Sequence, residues 1–331
     1  MLTLASNADA SSAAFVKKAF RWGAAAVLAV LGASAAATVL MFPWNVDPAR
    51  DESPQSREYY EQAYAAASSK GDAISPDAPL TEKEQAYVEG ARGMAYLYRV
   101  PELIRDFVQR YGLENKKVLE VGAGSGLLQD AVADYTALDI SSTARRFFHK
   151  PYIEASATHM PFPDSTFDAL WSIWVLEHIP NPEKALQEMR RVVKPGGYLF
   201  LYPALDVSRY AAQGYHARPY KDLDWKGRLL KASIPIADGK PFHLLYFHQT
   251  RVLRSLGTRL TGGPSRFHFI RLTPNYDQYW EGDSDATTSL SNHELYLWFT
   301  TRGDVCVNCP SESRLTFRDY PLNFLIIRRG P

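Results

Sequence analysis

From Val118 onward the chain alternates short apolar runs with longer segments of helical spacing. Residues 118–121, 136–140, 152–155, 167–172 and 198–202 are brief and rich in aliphatic and aromatic side chains, which predicts five strands. Between the last two, residues 182–193 have Pro in the first turn and Gly196-Gly197 beyond the end, a matched helix start and stop. Residues 127–133 predict a helix directly after the first strand. Upstream, Thr81 followed by Glu84 marks the start of a helix running to about Arg99. Residues 47–80 read as a linker with a short helix around 56–69.

Beyond the fifth strand the alternation is interrupted by an insertion, 203–241. Within it, the segment 222–234 places Leu223, Leu230 and Ile234 near one helical face, with Lys221, Lys226, Arg228 and Lys231 outside it. That pattern suits a helix packed on the domain or one lying on an anionic membrane. Thr250 predicts a cap for a helix to about Arg259, residues 267–272 and 323–328 predict a final strand pair, and 292–301 form another amphipathic stretch. At the other end of the chain, residues 1–21 are a basic tail carrying Lys17, Lys18 and Arg21, and residues 22–46 contain no charge. Such a run predicts a single-pass transmembrane helix with Trp22 and Trp44 at the interfaces. A signal peptide cleaved at Ala33-Ser34-Ala35 is the alternative.

Composition narrows the partners. The 331 residues carry a net charge of +1 with 22% charged side chains, so no bulk field attracts nucleic acid. Cys306 and Cys309 form one C-x-x-C pair with no second pair to complete a tetrahedral site, and read as incidental thiols; no metal is expected. Asp277, Glu281, Asp283 and Asp285 cluster in an aromatic-rich loop, a solvated acidic loop in preference to a cation or polar-substrate site.

The chemistry concentrates in VLEVGAGSG, residues 118–126. Gly122, Gly124 and Gly126 remove side chains at every second position and tolerate the positive φ a tight turn needs. Thirteen residues later Asp139 ends the second strand, where its two oxygens suit paired ribose hydroxyls. A dinucleotide fingerprint would place its third Gly three residues after the second. Here the interval is two, and Glu120 precedes the loop, a carboxylate that would repel a pyrophosphate and hold an ammonium.

With ALDIS at 137–141 and the long segment 160–201, MPFPDSTFDALWSIWVLEHIPNPEKALQEMRRVVKPGGYLFL, the chain resembles the class I S-adenosylmethionine (SAM) methyltransferases of the small-molecule branch over 116–201. The resemblance implies an α/β fold, a doubly wound, seven-stranded, mostly parallel sheet, in a domain spanning 116–331 behind a helical cap at 81–115. It implies Glu120 at the methionine amino group, Gly122, Ala123, Gly124 and Gly126 along the methionyl and ribose region, Asp139 at the ribose, and Ile140 on the adenine. Ser156 stands where the family usually carries an acid against the adenine amino group, with Ala157 beside it, and Ser172 and Trp174 lie on the sulfonium side. His178, in LEHIP, is the candidate base; His216, His243 and His248 are alternatives. Tyr96 and Tyr98 are either substrate-side residues or aromatics packed under the sheet.

The expected reaction is SAM-dependent methyl transfer to a small, amphiphilic or lipid-linked acceptor, with the catalytic domain on the cytosolic side of an N-terminal anchor because SAM is cytosolic. The alternatives are a non-catalytic SAM-binding module and an NAD(P)-dependent oxidoreductase.

Overall fold

The computed structural model describes residues 18–33, 54–63, 82–208, 214–215, 218–237, 240–275, 283–312, 315 and 323–331. They fall into two compact units, one drawn from within 1–42 and 232–257, the other from 43–231 and 258–331. The first holds α1 (18–33), exposed along its whole length. The second holds α2 (Pro54–Ala63), α3 (Glu82–Leu97), α4 (Val100–Tyr111), α5 (Pro182–Val192), α8 (Asn292–Thr300) and all nine strands. Two further helices, α6 (Trp225–Ala237) and α7 (Lys240–Thr261), have residues in both.

The strands are β1 (Lys117–Val121), β2 (Asp134–Asp139), β3 (Tyr152–Glu154), β4 (Phe167–Ile173), β5 (Val193–Tyr202), β6 (Ile270–Arg271), β7 (Thr288–Ser289), β8 (Val305–Cys306) and β9 (Leu325–Arg328). Seven form one sheet in the order β3-β2-β1-β4-β5-β9-β8. β1 to β5 are mutually parallel, whereas β9 runs antiparallel to both β5 and β8. The order reverses between β1 and β4, which opens a crevice at their C-terminal ends.

Period-two alternation explains why these runs are strands buried on both faces. Leu119, Val121, Leu170, Leu199, Leu201, Leu325 and Ile327 face one core, filled by Leu186 and Met189 of α5 and by Leu295, Trp298 and Phe299 of α8. Val118, Ala169, Trp171, Phe200 and Ile326 face the other, filled by Ile104, Phe107 and Val108 of α4. α4 has Pro101 in its first turn and stops at Gly112, whose φ of 62° only glycine adopts freely.

Several expectations need correction. The transmembrane helix at 22–46, and the anchored location built on it, are overturned: among the described residues no helix is long and apolar enough to cross a membrane. The described part of α1, residues 18–33, has 16 residues, which at about 1.5 Å each fall short of a core of about 30 Å. Absence of charge in an alanine-rich stretch is a weaker signal than high hydropathy; residues 34–46 lie outside the described residues.

Residues 127–133 are turns, not a helix. Bonds from Gly126 N–H to Ala123 O, Gln129 N–H to Gly126 O and Ala131 N–H to Leu128 O are all three-residue closures, and Ala133 N–H returns to Glu114 O. That last bond brings the chain back to the foot of β1 within a few residues, leaving no room for a helix before β2.

Downstream, Thr250 lies inside α7 instead of capping a helix. The stretch 267–272 yields only β6, which pairs with β7 in a separate two-stranded sheet, so the partner of β9 at the sheet edge is β8. α8 is buried nearly all round, not amphipathic. Leu223 and Ile234 are buried as expected for one face of the 222–234 segment, but Leu230 is exposed. Cys306 and Cys309 are joined in a disulfide, so they are not incidental thiols. Of the predicted helix at 56–69, α2 accounts for the part to Ala63; residues 64–81 lie outside the described set.

Candidate active site

The crevice at the strand ends is a cavity of about 850 Å³. On one side its wall is Gly122, Gly124, Asp139, Ile140, Ser156 and Ala157. These residues follow β1, β2 and β3 in turn, so parallel pairing alone sets them side by side. Gly122, Gly124 and Gly126 all have positive φ, from 50° to 72°. A Cβ on Gly122 would stand 2.2 Å from a Val175 methyl, and one on Gly126 would stand 2.9 Å from Gln129 Nε2. The missing side chains therefore make room for protein as well as for ligand. Gln129 then fixes the turn, donating to the carbonyls of Gly126 and Phe147 while accepting from His149 N–H.

Asp139 is buried at this wall. Its Oδ2 accepts from Gly124 N–H at 2.8 Å and its Oδ1 from Ser141 N–H at 3.0 Å. Burial raises its pKa, and the backbone donors at Gly124, Ser141 and Ile140 hold the rise down. Ser156 Oγ pairs with Thr158 Oγ1 at 2.8 Å and accepts from Thr158 N–H, which fixes the turn after β3.

Not every predicted cofactor residue reaches the cavity. Ala123, Gly126, Glu120 and Ser172 are absent from its wall. Glu120 lies on the α4 face of the sheet, where its carboxylate accepts from the Tyr135 hydroxyl. Burial pushes its pKa up to about 8, against the lowering effect of the Tyr135 and Trp171 contacts. Ser172 is buried with its hydroxyl unpartnered.

The other end of the cavity comes from distant segments. Trp174 holds a φ of 53°, a left-handed conformation costing a bulky side chain roughly 1–3 kcal/mol, and its N–H bonds to Tyr202 O at 2.7 Å. Its ring meets Tyr98 edge-on at 5.6 Å. Tyr98 is 48% exposed and lines the cavity, so it is not packed under the sheet; Tyr96 is also exposed but does not line it.

His178 follows β4 and also lines the cavity. Its Nδ1 lies 3.6 Å from Asp285 Oδ2, and its Nε2 lies 3.7 Å from Glu177 Oε1. Burial alone would lower the histidine pKa, but Asp285, Glu177 and Asp283 outweigh it and the net shift is upward. Glu177 is itself pushed up to about 7 by burial, with His178 pulling the other way. Asp283 and Asp285 belong to the loop read as solvated; Asp285 is buried, Asp283 is half-buried and both line the cavity, while 276–282 lie outside the described residues. His216 is likewise outside them, as is the His243 side chain, and His248 belongs to the other unit.

Helix α2 brings two residues that nothing in the linker reading marked. The Tyr60 hydroxyl donates to Asp285 Oδ2 at 2.9 Å, and its ring stands edge-on to His178 at 6.0 Å. Next to it, the Glu61 carboxylate accepts from Ser142 N–H and Oγ, from Ser141 Oγ and from Thr143 N–H. Burial raises its pKa, and these donors outweigh it, leaving a net lowering.

Residues 119–201 match the family model described as a methyltransferase domain. With the strand order and the glycine-to-aspartate arrangement above, this region is a class I SAM-dependent methyltransferase domain, and SAM is the cofactor of that class. Among proteins it resembles, a sterol 4-C-methyltransferase of Caenorhabditis elegans is 30% identical over 112 residues, 29% of this chain and 34% of that protein. A demethylmenaquinone methyltransferase of Renibacterium salmoninarum is 41% identical over 93 residues, 25% of this chain and 39% of that protein. A fatty-acid O-methyltransferase of Mycolicibacterium smegmatis is 32% identical over 136 residues, 37% of this chain and 45% of that protein. The chain thus spans from a third to under half the length of these relatives. A SAM-dependent methyltransferase structure from Methanococcus maripaludis overlaps 80% of this chain and 98% of its own at 14% identity, with a TM-score of 0.34 on which nothing here rests.

Proposed function

We propose that the protein transfers a methyl group from SAM to a small-molecule acceptor bound in the same cavity. The observation that carries this reading is the division of one 850 Å³ space into a wall of strand-exit loops and an opposite wall of aromatic and acid-base side chains. A volume of that size is within the range of sites that enclose a small ligand. The cofactor fits the residues present. Asp139 offers its free lone pairs to a ribose, Ile140 an apolar surface to the base, and Ser156 and Ala157 polar atoms to the ring edge. When bound, SAM supplies a methyl group on an electron-poor sulfur.

What the chain adds is alignment. Trp174 and Tyr98 fix an aromatic corner between the two walls, and aromatic faces favour a neighbouring cation. His178 stands where an acceptor's nucleophilic atom would enter. Holding both reactants in one orientation supplies most of the rate enhancement for an in-line displacement. Tyr59, Tyr60, Met94, Trp174 and Tyr202 give the acceptor wall an apolar, aromatic character, which supports an acceptor with a sizeable apolar body. Methyltransferases named for a sterol, a quinone and a fatty acid among the relatives point the same way.

Calorimetric titration with SAM and separately with NADH, using Asp139→Ala as control, tests the cofactor. Transfer of labelled methyl from SAM into apolar extracts then separates an enzyme from a silent binding module. Micromolar SAM binding with no transfer to any extract fraction would leave only the binding module.

A further inference from the structure

Glu177 is fully buried, and neither of its carboxylate oxygens has a hydrogen-bond partner. Burial of a carboxyl whose nearest charged partner is one imidazole nitrogen is costly, and a bound cation would compensate it. Two side chains converge on it. His178 Nε2 stands 3.7 Å from Oε1, and one donor atom each from Glu177, His178 and Asp283 lie within 4.8 Å of one another. Two donors that share an ion through bonds of about 2.2 Å stand at most about 4.4 Å apart. Three donors spread evenly around one ion stand only about 3.8 Å apart, so the triangle needs to close by up to about 1 Å, within reach of side-chain rotation.

The far side of the imidazole is organised too. Nδ1 lies 3.6 Å from Asp285 Oδ2, and that same oxygen accepts the Tyr60 hydroxyl at 2.9 Å. At that separation Asp285 is an electrostatic neighbour of the ring, and a small rotation of His178 would let it orient the imidazole as outer acids orient ligating histidines. His178, Asp283 and Asp285 all line the cavity, so an ion held here would be open to a bound molecule.

We propose that Glu177, His178 and Asp283 bind a divalent cation at the acceptor end of the cavity, with Asp285 and Tyr60 orienting His178. One imidazole nitrogen and two carboxylates suit Mn²⁺ or Zn²⁺. Three protein ligands leave coordination positions open, and these take an oxygen of the acceptor, a hydroxyl or enol, turning it toward the cofactor wall. His178 is then a ligand and not a proton acceptor. The acceptor-orienting role rests on the methyl-transfer reading; the ion site itself does not.

The test is titration of the full-length protein with MnCl₂, followed by electron paramagnetic resonance, alongside calorimetry with SAM on the same samples. One ion per chain is expected, with nitrogen modulation from His178 in the pulsed spectrum. Glu177→Gln and Asp283→Asn should each weaken binding at least about tenfold, Asp285→Asn by about tenfold, and exposed Asp130→Asn not at all. Absence of stoichiometric binding, binding without nitrogen coupling, or binding that survives Glu177→Gln overturns the proposal, and the wild-type spectrum decides if a variant fails to fold. SAM binding without Mn²⁺ binding removes the ion site and leaves the methyl-transfer reading; Mn²⁺ binding without SAM binding does the reverse.

Discussion

At the proposed cofactor end of the cavity, Gly122, Gly124, Asp139, Ile140, Ser156 and Ala157 stand at the exits of three successive strands that lie side by side. At the proposed acceptor end, Tyr60 and Asp285 share a hydrogen bond across 225 positions of chain, with His178 of the loop after β4 beside them. The first wall is assembled by local connection, since each loop is placed by the strand before it. The second exists only after α2 and the segment around Asp285 have both docked on the sheet. Chemistry held by strand exits is therefore robust to changes elsewhere, whereas the acceptor wall depends on long-range contacts and is free to differ between chains that share the first.

That difference is open to direct attack. The largest effect is expected from Asp139→Ala, which removes the acceptor of the Gly124 and Ser141 amides together with the proposed ribose partner. SAM affinity should fall by about a hundredfold, roughly 3 kcal/mol, while Mn²⁺ binding stays within twofold. Parallel titrations of both ligands check this, and joint loss would show that the two walls do not act independently. Next, Gly122→Ala places a methyl group 2.2 Å from Val175. It should destabilise the fold by about 2 kcal/mol and be partly rescued by Val175→Ala, as read by thermal melting.

A smaller effect, about tenfold on kcat/KM for the acceptor at unchanged SAM affinity, is expected for Tyr60→Phe, which frees Asp285. Equal loss in SAM affinity would break the distinction between the ends. The smallest concerns Glu120. Its folded pKa, raised to about 8, exceeds the unfolded value near 4.5, so the stability tied to its proton is complete below about pH 4.5 and lost as pH rises through 8. Wild-type melting temperature should drop between about pH 5 and 8, and Glu120→Gln should flatten that slope. If Glu120 also meets the cofactor's ammonium, SAM affinity should rise over the same interval in the wild type alone.

The same contrast governs what was legible in the sequence. Strand runs and the glycine loop are read from neighbouring residues, and β1 to β4 appear close to where period and composition place them, whereas β5 begins at Val193 and takes in Gly196-Gly197. Asp139, Ile140, Ser156 and Ala157 reach the cavity because their strands are parallel and in register. Tyr60 sat in a polar stretch punctuated as linker, and no local pattern says that its helix docks beside β2. Asp283 and Asp285 resembled a hydrated acidic loop because nothing within ten residues announces that Glu177 and His178 will pack against them. α8 was misread for a related reason: NHELYLWFT has polar positions at helical spacing, yet Asn292, His293 and Glu294 are buried too. The anchor was misread from absence of charge, a property that alanine-rich exposed helices share with membrane spans.

Consecutive residues of α2 grip opposite ends of the cavity, Glu61 on the turn after β2 and Tyr60 on Asp285. A single helical turn is thus a clasp across the two ends of the cavity. Neither end of the cavity can loosen its hold on that turn without straining the other, so a disturbance at one end is passed to the other through one short helix.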